Sequence, residues 1–161
     1  MLLKRQGVFL VFFVLFMVCL CLPAFVVPLS EEQKAEHVEV NSERAASATF
    51  TSIFGNNLYI ALVALVPLFG VGFMSFVLFN TGVVAASYPL GVLNIVGNPF
   101  AWVEVAVYAF ACTCAYFALQ FMCRKDWVGM RAEFKRGVCW STLILVAAAF
   151  VEYLLITGSV V

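Results

Sequence analysis

Residues 100–122 read FAWVEVAVYAFACTCAYFALQFM, a run long enough to cross a bilayer whose one charged residue, Glu104, stands near its start. About 20 apolar residues cover the hydrocarbon core as an α-helix. An ionised carboxylate at that depth costs at least ~2.5 kcal/mol, so it faces a partner or a water-filled cavity rather than lipid. A second run, 138–160, carries the single glutamate Glu152 in the same way. The two glutamates set the class of protein and mark where its chemistry is to be sought.

The rest of the chain agrees with that class. A composition that is 65% hydrophobic, 16% aromatic and 11% charged cannot fold with a polar exterior in water, so an all-α, polytopic membrane bundle is expected. Gly7–Leu29 is free of charge and long enough to span. Lys4 and Arg5 ahead of it would also suit a secretory signal, but the apolar region is too long and no small-x-small cleavage site precedes Pro23 or Pro28, which favours a retained anchor. Residues 57–79 read as a second span, with Pro67, Gly70 and Gly72 tolerated inside it as membrane helices allow. Residues 82–97 are short and interrupted by Pro89 and Gly91; by length alone they suit a re-entrant hairpin.

Charge parity argues that this segment crosses. With Lys4 and Arg5 inside, the first helix runs outward and the second inward, and the helix 100–122 must end inside because Arg124, Lys125, Arg131, Lys135 and Arg136 follow it. The expectation is five spans, 7–29, 57–79, 82–97, 100–122 and 138–160, the third short and broken. A polar segment, 30–48, lies outside and a basic loop, 123–137, inside. The N-terminus is then cytoplasmic and the C-terminus outside the cell membrane, with seven of the nine Lys and Arg on the inner side.

At 1.5 Å per residue, Glu104 and Glu152 lie roughly 6 and 12 Å below the outer surface. Asn56, Asn57, Asn94 and Asn98 fall on the same side, Tyr108 lies one turn beyond Glu104, and Thr157 follows Glu152 by five residues. One polar cluster near the outer leaflet is expected, with at least one carboxyl protonated, since two close buried carboxylates rarely both ionise.

The polar stretches carry their own signals. Ser30-Glu31-Glu32-Gln33 has the form of a capping box, so 30–48 should begin as a helix. His37 within it reads as a solvated helix residue. Trp127, Met130 and Phe134 recur at helical spacing while Arg131, Lys135 and Arg136 keep to other positions, which describes a short amphipathic helix on the inner leaflet. With Arg124 and Lys125 these residues are expected to contact anionic lipid; a docking surface for a cytoplasmic protein is the alternative. Ala111, Ala115 and Ala118 form a small-residue stripe suited to close helix packing.

Other chemistry is thinly represented. Cys112-Thr113-Cys114 and Cys19-Leu20-Cys21 place their thiols about 200° apart on a helix and cannot chelate one ion alone. None of the six cysteines lies in the outer polar block, so no disulfide is indicated. There is no phosphate loop, nucleophile elbow or two-histidine metal motif. No cofactor, metal, nucleic-acid partner or enzymatic activity is expected.

The motifs Phe54-Gly55-Asn56-Asn57, Phe79-Asn80-Thr81-Gly82, Trp102-Val103-Glu104 and above all Ala147-Ala148-Ala149-Phe150-Val151-Glu152 with Thr157 resemble the stage II sporulation protein M family of integral membrane proteins. The likeness runs from about Thr49 to Gly158. Phe100-Ala101 stands where many members carry a His-Gly pair. The resemblance implies a membrane scaffold that joins envelope proteins. From residues and resemblance together, a structural or assembly protein is expected, with membrane lipid and membrane or envelope proteins as partners. The alternative is a small transporter, or a subunit of one, in which Glu104 and Glu152 bind a proton or cation.

Overall fold

The computed structural model describes the backbone of residues 2–158, with the side chains of residues 2, 3, 45, 92, 94 and 156–158 not described. Eight helices follow in order: α1 (Leu2–Cys21), α2 (Pro23–Val26), α3 (Glu31–Ala46), α4 (Phe50–Ala64), α5 (Phe69–Ala86), α6 (Val92–Gly97), α7 (Pro99–Cys123) and α8 (Trp127–Gly158). The protein is an all-α bundle. Lys4–Val26, Phe69–Ala86, Pro99–Cys123 and Trp127–Leu155 are long and apolar enough to cross a membrane, and Phe50–Ala64 is a shorter apolar helix.

Local chemistry places most helix ends. Pro23 opens α2 just after α1 ends at Cys21, and the two follow closely enough for Lys4–Val26 to form one apolar segment. The capping box at the start of α3 is formed: the Ser30 N–H donates to Gln33 Oε1 at 3.0 Å, and the Gln33 N–H to Ser30 Oγ at 3.2 Å. Thr49 and Ser52 repeat the device at the start of α4. Asn98 accepts from the Phe100 N–H with Pro99 in the first turn, which starts α7. Asp126 accepts from the Gly129 N–H at 2.9 Å and starts α8.

Three expected boundaries move. The expected second span, 57–79, is not one helix but the end of α4 and the start of α5. Pro67 has no N–H to continue the ladder. The chain instead reverses through Leu65–Leu68, with Leu68 at φ 68° and its neighbour's amide, Phe69 N–H, donating to the Pro67 carbonyl. Gly70 lets α5 fold back tightly, since a Cβ there would collide with the Ala64 carbonyl. The expected short span 82–97 is accordingly the end of α5, a turn through Pro89 and Gly91, and α6.

The expected inner loop, 123–137, is mostly helix. Only Arg124–Asp126 form a turn; from Trp127 the chain is helical without interruption through the last apolar segment. The stretch expected to lie flat as an amphipathic helix is thus the first third of α8. Phe134 packs against the core while Trp127 stays exposed. No residue between Trp127 and Val138 breaks a helix strongly, and Gly137 is accommodated because its bare backbone seats the Leu65 side chain and Cys114.

Helix α7 lies at the centre, packed most extensively on α8 and also on α1 and α4. Its small face makes this possible: Ala109, Ala111, Cys112, Ala115 and Ala118 are all buried, so the expected small-residue stripe packs within the chain. Phe16, Met74, Val105 and Leu145 fill the space around it. Leu10, Val14, Phe76, Leu143 and Phe150 point outward, an apolar girdle for lipid. Gly82 brings α5 against the Leu20 carbonyl of α1.

Candidate functional site

The two ends of the bundle differ sharply. At one end, Arg5 of α1 meets Glu133 of α8 in a two-pronged ion pair: Nη1 donates to Oε2 at 2.9 Å and Nη2 to Oε1. Arg136 Nη1 reaches the same carboxylate at 3.1 Å, and the Arg5 guanidinium lies 4.4 Å from the centre of the Phe117 ring. Glu133 is only 3% exposed. Lys4, Arg124, Lys125 and Arg131 share this basic end and are exposed. So are Trp127, Lys135 and Arg136, completing the set expected to meet lipid.

The opposite end holds a cavity of about 730 Å³. Six of the residues expected to form one polar cluster line it: Glu104, Glu152, Asn56, Asn57, Asn98 and Tyr108. The side chain of Thr157, like that of Asn94, lies outside the described residues. At the centre, Asn57 Nδ2 donates to Glu104 Oε1 at 2.6 Å, tying α4 to α7. This bond satisfies a carboxyl oxygen that could not otherwise be buried in a poorly solvated site without a large cost. Asn56 Nδ2 lies 3.4 Å from Asn57 Oδ1 and extends the chain of amides toward the surface. Glu152 approaches from α8, and Tyr108, one turn below Glu104, is almost fully buried.

The walls include residues that pattern reading did not single out as site residues: Asn41 of α3, Thr81 of α5 and Tyr88 of the following turn. Asn41 follows His37 by four positions and its Nδ2 donates to the His37 carbonyl at 2.6 Å. His37 itself corrects an expectation. It is half-buried, and its Nδ1 stands 3.2 Å from Ser87 Oγ, so it docks α3 on the bundle instead of facing solvent. A lone histidine among glutamates gives no local sign of a serine 50 positions away.

Below the cavity the bundle is closed by Ala109, Ala111, Cys112, Cys114 and Phe117 of α7, with Met74 and Leu145 beside them, all buried. Cys112 uses its thiol toward the Ala64 carbonyl at 3.6 Å, covering the end of α4. Among the described residues no group of three His, Cys, Asp or Glu side chains is placed to share a metal ion.

No protein-family model, curated protein or solved structure matches the chain. What the site does has to follow from its own geometry.

Proposed function

We propose that this chain is a multi-pass cell-membrane protein of the structural or assembly kind, not an enzyme, whose Glu104 cavity is the polar hub of the fold. The observation that carries this reading is that the cavity gathers residues from α1 and from α3 through α8, seven of the eight helices, around the Asn57–Glu104 bond. A polar centre in a bundle specifies which helices meet and in what register, because each buried polar group is satisfied in one arrangement only. The acidic α3, with Glu31, Glu32, Glu36, Glu39 and Glu43, lies beside the hub and offers a surface to envelope or membrane proteins. The resemblance to the stage II sporulation protein M family agrees with a scaffold of this kind.

The positive-inside rule orients the bundle with its basic end in the cytoplasm. Helix α1 then runs outward, α4 inward, α5 outward, α7 inward and α8 outward, leaving the cavity, α3 and the C-terminus outside. With the break at Leu65–Leu68, the five crossings of this reading count the shorter apolar helix α4 as the second and α5 as the third.

A second reading is favoured by the volume of the cavity and by the two carboxylates that line it: a transporter, or a transporter subunit, in which Glu104 and Glu152 bind a proton or cation. Glu152→Gln separates the two, since it keeps shape and hydrogen bonding and abolishes titration. For a scaffold, the amide leaves the fold and co-purifying partners intact while Glu152→Ala weakens both. Proton- or cation-driven flux in liposomes of the purified protein that vanishes in Glu152→Gln would overturn the scaffold reading. Lack of flux across a panel of ions, with full complementation in cells by the amide variant, rules out the transporter.

A further inference from the structure

A second cavity, of about 780 Å³, lies at the basic end between α1 and α7. Its rim is polar, formed by Lys4, Gln120 and Arg124, and its wall continues along α1 through Gly7, Val8 and Val11. From Lys4 to Val11 is about 10 Å along a helix axis, so the wall leads from the charged rim into the part of the bundle that faces hydrocarbon. Val11 is 65% exposed, which leaves the groove open sideways.

The charges at the rim are free for a ligand. Arg5, beside Lys4 in sequence, is taken by Glu133, whose carboxylate also binds Arg136. Asp126 is engaged with the Gly129 N–H. Among the described residues neither Lys4 nor Arg124 has an ion pair. Three of the last four carbonyls of α7, which would repel an anion, are covered: those of Gln120 and Phe121 accept from the Arg124 N–H, and that of Met122 from the Lys125 N–H. Two unpaired bases above an apolar slot open to the bilayer match a phosphodiester joined to an acyl chain.

We propose that this groove is a binding site for one anionic phospholipid, its phosphate held between Lys4 and Arg124 and an acyl chain lying along Gly7, Val8 and Val11. The site is distinct from diffuse attraction to the basic surface of α8, because its bases are few and its apolar wall has a definite place. A lipid held there joins α1 to α7 at the end where Arg5 and Glu133 already join α1 to α8.

The test is native mass spectrometry of the full chain, purified in mild detergent and incubated in turn with phosphatidylglycerol, phosphatidylcholine and glycerol 3-phosphate. A single retained phosphatidylglycerol is expected, at least about tenfold favoured over phosphatidylcholine, with no retention of glycerol 3-phosphate. Lys4→Ala combined with Arg124→Ala should lower its occupancy about tenfold or more. Arg131→Ala combined with Lys135→Ala removes the same charge outside the groove and should change occupancy less than about twofold. Gly7→Trp should also displace the lipid while leaving helicity by circular dichroism unchanged, because a Cβ at Gly7 meets nothing within 4 Å. Equal losses in the two double variants, equal retention of the two phospholipids, retention of glycerol 3-phosphate, or undiminished binding in a folded Gly7→Trp protein would each overturn the proposal.

Discussion

Arg5 and Glu133 stand 128 positions apart in the chain and share two hydrogen bonds, the guanidinium stacked over Phe117 and the carboxylate almost fully buried. Breaking a buried pair from one side strands the other charge, at a cost of about 3–5 kcal/mol. Glu133→Ala should therefore destabilise strongly, read as a loss of resistance to denaturant in micelles. Arg5→Ala should cost less, because Arg136 still reaches Glu133. Replacing the pair together, Arg5→Met with Glu133→Leu, should recover most of the loss; a double variant as unstable as Glu133→Ala would contradict this.

Asn57→Leu removes the amide that donates to Glu104. The unpartnered Glu104 carboxyl should cost about 1–3 kcal/mol, and Glu104→Leu in the same background should restore part of it by removing the polar group. Thermal unfolding followed by circular dichroism measures both. Equal stability of Asn57→Leu and the native chain would show that the bond contributes nothing.

Gly82 and Gly72 lie on the same helix but differ in surroundings. A Cβ on Gly82 would meet the Leu20 carbonyl and Pro23, whereas one on Gly72 meets nothing within 4 Å. Gly82→Ala should force α1 from α5 and cost about 1–3 kcal/mol. Gly72→Ala should be neutral or slightly stabilising through its gain in helix propensity.

Leu68 holds φ 68°, ψ −49° at the tip of the α4–α5 turn, a conformation that costs an L-residue of order 1–3 kcal/mol. Its side chain is 81% exposed, so little is lost with it. Leu68→Gly should raise the unfolding temperature despite the greater freedom of glycine in the unfolded chain. A lower temperature would mean that Leu68 makes a contribution to stability larger than its strain.

The five-crossing orientation is checked by thiol labelling in intact cells. Cys123 is exposed at the basic end and should react only after permeabilisation, whereas a cysteine at the exposed Glu36 position of α3 should react from outside. Reaction of both from one side would refute the orientation.

What the sequence made legible were the features encoded by neighbours a few positions apart. Ser30 and Gln33 announce a helix start because both partners of the capping box lie within one turn. Glu104 and Glu152 announce a polar site because hydrocarbon has no place for an unpartnered carboxylate. The turn at Leu65–Leu68 was hidden because membrane helices often carry proline without breaking, and leucine is not a residue that advertises positive φ. Glu133 was hidden in a run of bases, where a surface role is the plain expectation; its main partner is at the opposite end of the chain. His37 and Ser87 were concealed for the same reason.

The separation of Arg5 from Glu133 also dictates an order of events during biosynthesis. In the orientation proposed above, helix α1 stands with its arginine at the cytoplasmic border and no acid to meet it, because Glu133 is made 128 positions later. Until then water and lipid headgroups must solvate the arginine. The closing of this end of the bundle thus waits for the last helix, and a chain that stalls before Glu133 keeps an unmatched charge there.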